Sequence, residues 1–169
     1  MRMLGAVLVL SISFYMGLAL SGQARRRVAE LEGFCRLLEA LRDGIASLRL
    51  PVGEIYDHFS NETLEKNGFL ACLRAKTAED HVWDPLGEAV REMMDKRRLA
   101  LLPADAAELL ALSRDLGKND SAGEIKRCEY YLARLSHILK TAEKDAPGDA
   151  RVSRATSLCA GILAVLLLF

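Results

Sequence analysis

An excess of charge of one sign is missing from this sequence: Lys+Arg number 23 and Asp+Glu number 23, and neither sign gathers into a long block. A protein that neutralises a phosphate backbone needs surplus basic residues on one face, so no nucleic-acid partner is expected. Glycine-rich loops are absent too, because the 12 glycines are scattered. Gly117-Lys118 lacks both the upstream glycine and the following hydroxyl residue of a nucleotide-binding loop. His58, His81 and His137 lie far apart, without a cysteine, histidine or acidic partner at metal-ligand spacing. Cys35, Cys72, Cys128 and Cys159 are equally dispersed, which argues against a disulfide framework and suits the cytosol. The first three of them fall on apolar helix faces and read as small buried hydrophobes, since a nucleophilic thiol needs a base beside it. Glu30, Glu32, Glu39 and Asp43 read as a solvated helix face with i,i+4 pairing. No catalytic residue, metal site, cofactor or small-molecule substrate is expected from these groups.

Two long uncharged runs are what the sequence does contain. Met3 to Leu20 bears no charge, and a hydrocarbon core ~30 Å thick takes roughly 20 helical residues to cross. Ala155 to Phe169 is shorter, ~22 Å as a helix. It needs snorkelling by Arg154, local thinning of the bilayer, or a shallow position. Arg25, Arg26 and Arg27 follow the first run, while Arg151 and Arg154 precede the second. Basic residues on both inner flanks hold the middle of the chain in the cytosol. The competing reading is a cleaved signal peptide, with Arg2 as its basic start and Ala19-Leu20-Ser21 or Gly22-Gln23-Ala24 as its cleavage site. That alternative leaves an exported helical protein held only by its carboxyl-terminal segment, a structural or interaction module outside the cytosol. Three arginines directly after the run resist translocation and favour the uncleaved anchor. Ser13, Gly17 and Ser21, at steps of four, and Ser157 with Gly161 are candidate small-residue stripes for membrane-helix packing. The organisation expected is an N-terminal transmembrane helix over 1–24, a cytosolic helical bundle over 25–150 and a C-terminal membrane helix over 151–169.

Between the runs the apolar residues recur at helical steps, with no period-two run of β-branched residues. The fold class is therefore all-α, an antiparallel bundle of about six helices joined by short connections. Val28, Leu31, Phe34, Cys35, Leu38, Leu41, Ile45 and Leu48 share one face of a long helix, with Glu30, Glu32, Arg36, Arg42 and Asp43 opposite. Pro51 is placed for the first position of a short helix holding Val52, Ile55 and Phe59 inward. Asn61 caps the next, which brings Leu64, Phe69, Leu70 and Leu73 to the core. His81 to Pro85 turns into a helix with Leu86, Val90 and Met93 or Met94, ending at Lys96-Arg97-Arg98, where cations complement the dipole. Pro103 opens a helix carrying Leu109, Leu110, Leu112 and Leu116, and Gly117 closes it. Ser121 and Glu124 have capping-box spacing at the start of the last soluble helix. That helix carries Ile125, Cys128, Tyr131 or Leu132, Leu135, Ile138 and Leu139, and is expected to end near Asp145, before a Pro147-Gly148 link. Trp83, ahead of a helix start, reads either as a core wedge or as a partner-facing anchor.

The order of these parts is distinctive. An amino-terminal span is followed by Leu37-Leu38-x-x-Leu41, Ile45 and Leu50-Pro51-Val52, then Trp83 ahead of a helix, Leu116-Gly117-Lys118-Asn119-Asp120, and a terminal span. Over nearly the whole chain this resembles the stage III sporulation protein AB family of spore-forming Firmicutes. The most specific piece runs from Leu109 through Asp120 into the last soluble helix. Asn119 stands where the family has a hydroxyl residue and Glu124 where it has glutamine, and both substitutions preserve a capped turn. The resemblance implies a non-enzymatic membrane protein of the mother cell, its bundle facing the cytosol, similar to the inner-membrane platform protein of type II secretion and type IV pilus machines. The partners it implies are the membrane, a cytosolic secretion-type ATPase (stage III sporulation protein AA) and other proteins of the channel joining mother cell and forespore. For such partners the charged faces offer candidate docking residues, Arg25, Arg26, Arg27, Lys96, Arg97 and Arg98, whose ordinary reading is membrane-proximal or solvated charge.

Overall fold

The residues after Ala29 on the first helix bury two apolar rows rather than one. Leu31, Phe34, Leu38 and Leu41 form the first and Gly33, Leu37 and Gly44 extend a second, which leaves Glu32, Arg36, Glu39 and Asp43 as a narrow exposed stripe. A helix that is apolar around most of its circumference belongs in an interior. The computed structural model describes the backbone of residues 2–48, 50–79, 81–116 and 121–168, and the side chains of 22–47, 50–79, 81–116 and 121–146.

Among the described residues every regular element is a helix: α1 (Arg2–Asp43), a π-helical turn (Gly44–Leu48), α2 (Val52–His58), α3 (Glu62–Lys66), α4 (Phe69–Thr77), α5 (Pro85–Asp95), α6 (Pro103–Asp115) and α7 (Ser121–Leu168). It divides into two compact units, one of residues 1–28 with 141–169, the other of residues 29–140. In the first unit the beginning of α1 and the end of α7 come together, so both apolar runs belong to it. The side chains of those runs, with Ser13, Gly17, Ser21, Ser157 and Gly161, lie outside the described residues. Among the described residues no helix is long and apolar enough to cross a membrane.

In the second unit α1 is the central element. Phe34 meets Phe69 of α4 edge to face, ring centroids 4.9 Å apart at 76°. A Cβ on Gly33 would stand 2.9 Å from Leu64 Cγ of α3, and one on Gly44 would stand 2.7 Å from Ile55 Cδ1 of α2, so both glycines mark close helix approaches. On the opposite side Ser136 of α7 lies close enough to the Cys35 thiol to act on it, and Arg42 lies within electrostatic reach of Glu129, so α7 runs antiparallel to α1 here. The remaining helices continue the layer, with α2 and α5 against α4, and α6 against α5. Arg134 of α7 reaches Glu108 of α6 at 2.5 Å, and Arg127 donates to the Asp115 carbonyl at the end of α6 at 2.6 Å, a cation at the negative end of a helix dipole.

Several boundaries differ from the sequence expectation. Pro51 is the N-cap of α2 rather than its first helical residue. The helix expected to run from Asn61 through Leu73 breaks at Gly68, whose φ of 86° is open to glycine and strained for other residues. Asn61 caps α3 as expected, its Oδ1 accepting from the Thr63 and Leu64 amides at 3.1 Å. The largest difference is in α7, which continues through Pro147-Gly148 instead of ending near Asp145. Proline removes one intrahelical hydrogen bond, but a helix already formed needs no second nucleation to continue past it. Gly117 and Asn119, expected to close one helix and begin the next, lie outside the described residues.

Candidate functional site

The basic cluster at the end of α5 owes its presentation to the local backbone. Arg97 N–H bonds to the Met94 carbonyl at 2.9 Å and Arg98 N–H to the Met93 carbonyl at 3.0 Å, the paired bonds of a Schellman cap. That cap requires a left-handed residue, and here it is Arg97, with φ of 53°. Glycine is the usual occupant because it has no Cβ to crowd the following carbonyl. Arg97→Gly is therefore expected to stabilise the fold by about 0.5–1 kcal/mol, read as a higher urea midpoint at unchanged slope.

Around Arg97 the neighbouring cations are held. Lys96 Nζ donates to Glu92 Oε1 at 2.6 Å, and the Arg98 guanidinium lies over Gly68, 3.1 Å from the place a Cβ would take. Lys96, Arg97 and Arg98 all remain exposed. The strand of chain that follows turns inward, with Leu99, Ala100 and Leu101 buried. Its anchor is Glu30 of α1, only 1% exposed, whose Oε2 accepts from the Ala100 amide at 2.6 Å and whose Oε1 accepts from Asn67 Nδ2 at 3.4 Å. This corrects the expectation that Glu30 is solvated with Glu32, which does pair with Arg36 at 2.6 Å on the surface. Sequence reasoning missed Glu30 because it followed a single apolar face. Glu30 stands three and seven residues before Gly33 and Leu37, at helical spacing to that second row.

Arg25 and Arg26 are exposed and Arg27 is half-buried. They belong to the first unit, whereas Lys96, Arg97 and Arg98 belong to the second.

Trp83 is not the core wedge that one reading of the sequence offered. Asp84 caps α5, its Oδ1 accepting from the Gly87 amide at 2.8 Å while Ser113 Oγ of α6 donates to Oδ2 at 3.1 Å. Trp83 thus occupies the position before the cap, which commonly staples onto an apolar side chain at the fourth helical residue. Here that residue is Glu88, so the indole has nothing to close upon and is 99% exposed. Gly87 has no room for a side chain, since a Cβ there would collide with the Asp84 carboxylate and lie 2.6 Å from Ser113 Oγ.

Two clefts are walled by described residues of this unit. One, of about 510 Å³, lies between the π turn and α2, with Gly44, Ile55, His58 and Phe59 among its walls. His58 Nδ1 is 2.8 Å from the Glu54 carbonyl within its own helix. The other, of about 170 Å³, lies under Trp83. Among the described residues no group of histidines, cysteines and carboxylates could hold a metal ion. Burial pushes the Cys35 thiol up, and the Cys128 thiol up to about 11, which suits packing and not nucleophilic attack.

No curated protein and no solved structure matches the chain. The stage III sporulation protein AB (spore_III_AB) family model matches residues 2–169, essentially all of it. With that match, and an all-helical fold in which the expected core residues Leu31, Phe34, Leu64, Phe69, Val90 and Leu109 are buried, the chain belongs to the stage III sporulation protein AB family.

Proposed function

We propose that this chain is a non-enzymatic platform of the sporulation channel between mother cell and forespore. Its two apolar runs sit in the mother-cell membrane, and its helical unit faces the cytosol and docks a secretion-type ATPase, stage III sporulation protein AA. Family membership across residues 2–169 supports a role in sporulation. The gathering of both apolar runs into one unit suits a pair of membrane helices, and the arginines flanking the first run suit a cytosolic helical unit.

The observation that carries the docking surface is Arg97. An exposed arginine occupies a left-handed cap position better suited to glycine, on a loop fastened by buried Glu30. Backbone strain of this kind persists where the side chain has a use. Exposed charges of a docking surface act chiefly through complementary potential. Combined Lys96→Glu, Arg97→Glu and Arg98→Glu replacement is expected to weaken capture of the purified ATPase by about ten-fold or more, with helical content unchanged by circular dichroism. Capture equal to wild type would remove this surface from the proposal. Mass spectrometry of the mature amino terminus tests the membrane arrangement, because a start at Gly22 or Arg25 would mean cleavage and export.

A further inference from the structure

Beyond the basic loop, the second unit carries a surface of opposite character. Trp83 is the only tryptophan of the chain and is 99% exposed. Beneath it lies the cleft of about 170 Å³, walled by Val52 and Tyr56 of α2, Leu86 of α5 and Leu116 at the end of α6. Tyr56 is 3% exposed and its side chain forms part of the cleft wall. Burial, then the nearby Asp84 carboxylate, push that phenol above its usual range, so it stays protonated and able to donate. A phenol that stays protonated at the wall of a cleft can donate to a ligand's carbonyl.

Charge decides what kind of ligand. Between Lys76 and Arg91 every charged residue is acidic: Glu79, Asp80, Asp84 and Glu88. The adjoining α2 adds exposed Glu54 and Asp57. The cations at the margin are engaged, Lys76 lying 3.8 Å from Glu88 and 3.4 Å from Glu92, and Arg91 lying 3.6 Å from Asp84. An exposed indole in an acidic stretch of the sequence, on a unit that also exposes Glu54, Asp57 and Glu79, favours a guanidinium or ammonium, which gains from the ring face and from negative potential together. A tryptophan beside a small apolar pocket is also the usual form of an interface anchor.

We propose that this cleft docks a basic segment of a partner protein, with an apolar side chain in the pocket, an adjacent arginine or lysine on Trp83 and a backbone carbonyl accepting from Tyr56. The surface is separate from Lys96, Arg97 and Arg98 in sequence and opposite to it in sign. It stands whether or not the basic loop binds the ATPase.

The test uses the full chain and fluorescein-labelled peptides. The probe is a short capped peptide with one leucine flanked by arginines; its controls replace the arginines by glutamate or the leucine by serine. Expected are a saturable change in Trp83 emission and a saturable rise in anisotropy with the arginine–leucine peptide alone. Trp83→Ala should weaken peptide binding about ten-fold, and Glu54→Lys with Glu79→Lys should weaken it with a reduced salt dependence. Wild-type helical content in these variants makes the losses specific. Lys96→Glu, Arg97→Glu and Arg98→Glu should not weaken peptide binding, which separates this site from the basic loop. Equal binding of the glutamate peptide, unchanged binding by Trp83→Ala, or a Trp83 emission change that follows protein concentration alone would each overturn the proposal. The last result would mean that a second copy covers the cleft.

Discussion

Phe34→Ala should destabilise the second unit by about 3–5 kcal/mol, because it deletes a fully buried ring from the central helix and leaves a cavity that close packing cannot fill. Phe34 sits edge to face on Phe69, and both are 0% exposed, so the loss includes the aromatic contact as well as the area. The neighbours cannot easily collapse into the gap. Gly33 already brings α3 close enough that an added Cβ would stand 2.9 Å from Leu64 Cγ, and Leu31, Leu37 and Leu38 are fixed by their own burial. For a chain of this length the thermal midpoint should fall by roughly 10 °C, followed by far-ultraviolet circular dichroism. Arg36→Ala on the exposed stripe of the same helix should shift it by less than about 0.5 kcal/mol. If the two variants behaved alike, α1 would not be the central helix.

Glu30→Ala should be the next most damaging change, at about 3 kcal/mol. The carboxylate accepts from the Ala100 amide at 2.6 Å in a setting where Glu30 is 1% exposed, so truncation removes a charge-assisted bond and leaves a buried amide without its acceptor. Water is the only substitute, and Leu99, Ala100 and Leu101 are all buried. Glu30→Gln retains an acceptor oxygen without the charge, so it should lose about half as much. Hydrogen exchange at the Ala100 amide separates a local effect from a global one. Detachment of the segment after Arg98 should speed exchange there by about 100-fold while amides in the middle of α4 follow only the change in overall stability.

Much of the fold is legible in the sequence where one rule acts alone. The spacing of Leu86, Val90 and Met93 defines the buried face of α5, and Asn61 and Pro103 mark helix starts that the structure contains. Difficulty arises where two rules compete. On α1 one apolar row suggests an amphipathic helix, but Leu37 and the glycines Gly33 and Gly44 belong to a second row that moves Glu30 inside. In α7 proline and glycine are ordinary helix breakers, yet the helix passes through Pro147-Gly148. A local breaker is outweighed when the helix on either side is already formed. At Trp83 hydrophobicity argues for burial, whereas the identity of Glu88 decides the matter by denying it a staple. The basic candidates were visible as charges, but not their geometry, because a left-handed arginine and a buried carboxylate beneath the same loop emerge only when α1 and the end of α5 meet.

The antiparallel seat of α7 against α1 has a consequence for biosynthesis. The faces of α1 that meet α2, α3 and α4 are covered by segments that leave the ribosome soon afterwards, but the Cys35 side waits for Ser136. That partner emerges ~100 residues later, roughly 5–20 s at elongation rates of about 5–20 residues per second. During that interval the nascent chain carries an uncovered apolar groove, a target for holding chaperones. Ribosomes stalled before α7 should therefore display a chain that is helical, protease-sensitive and sticky, and completion of α7 is the event that ends that exposure.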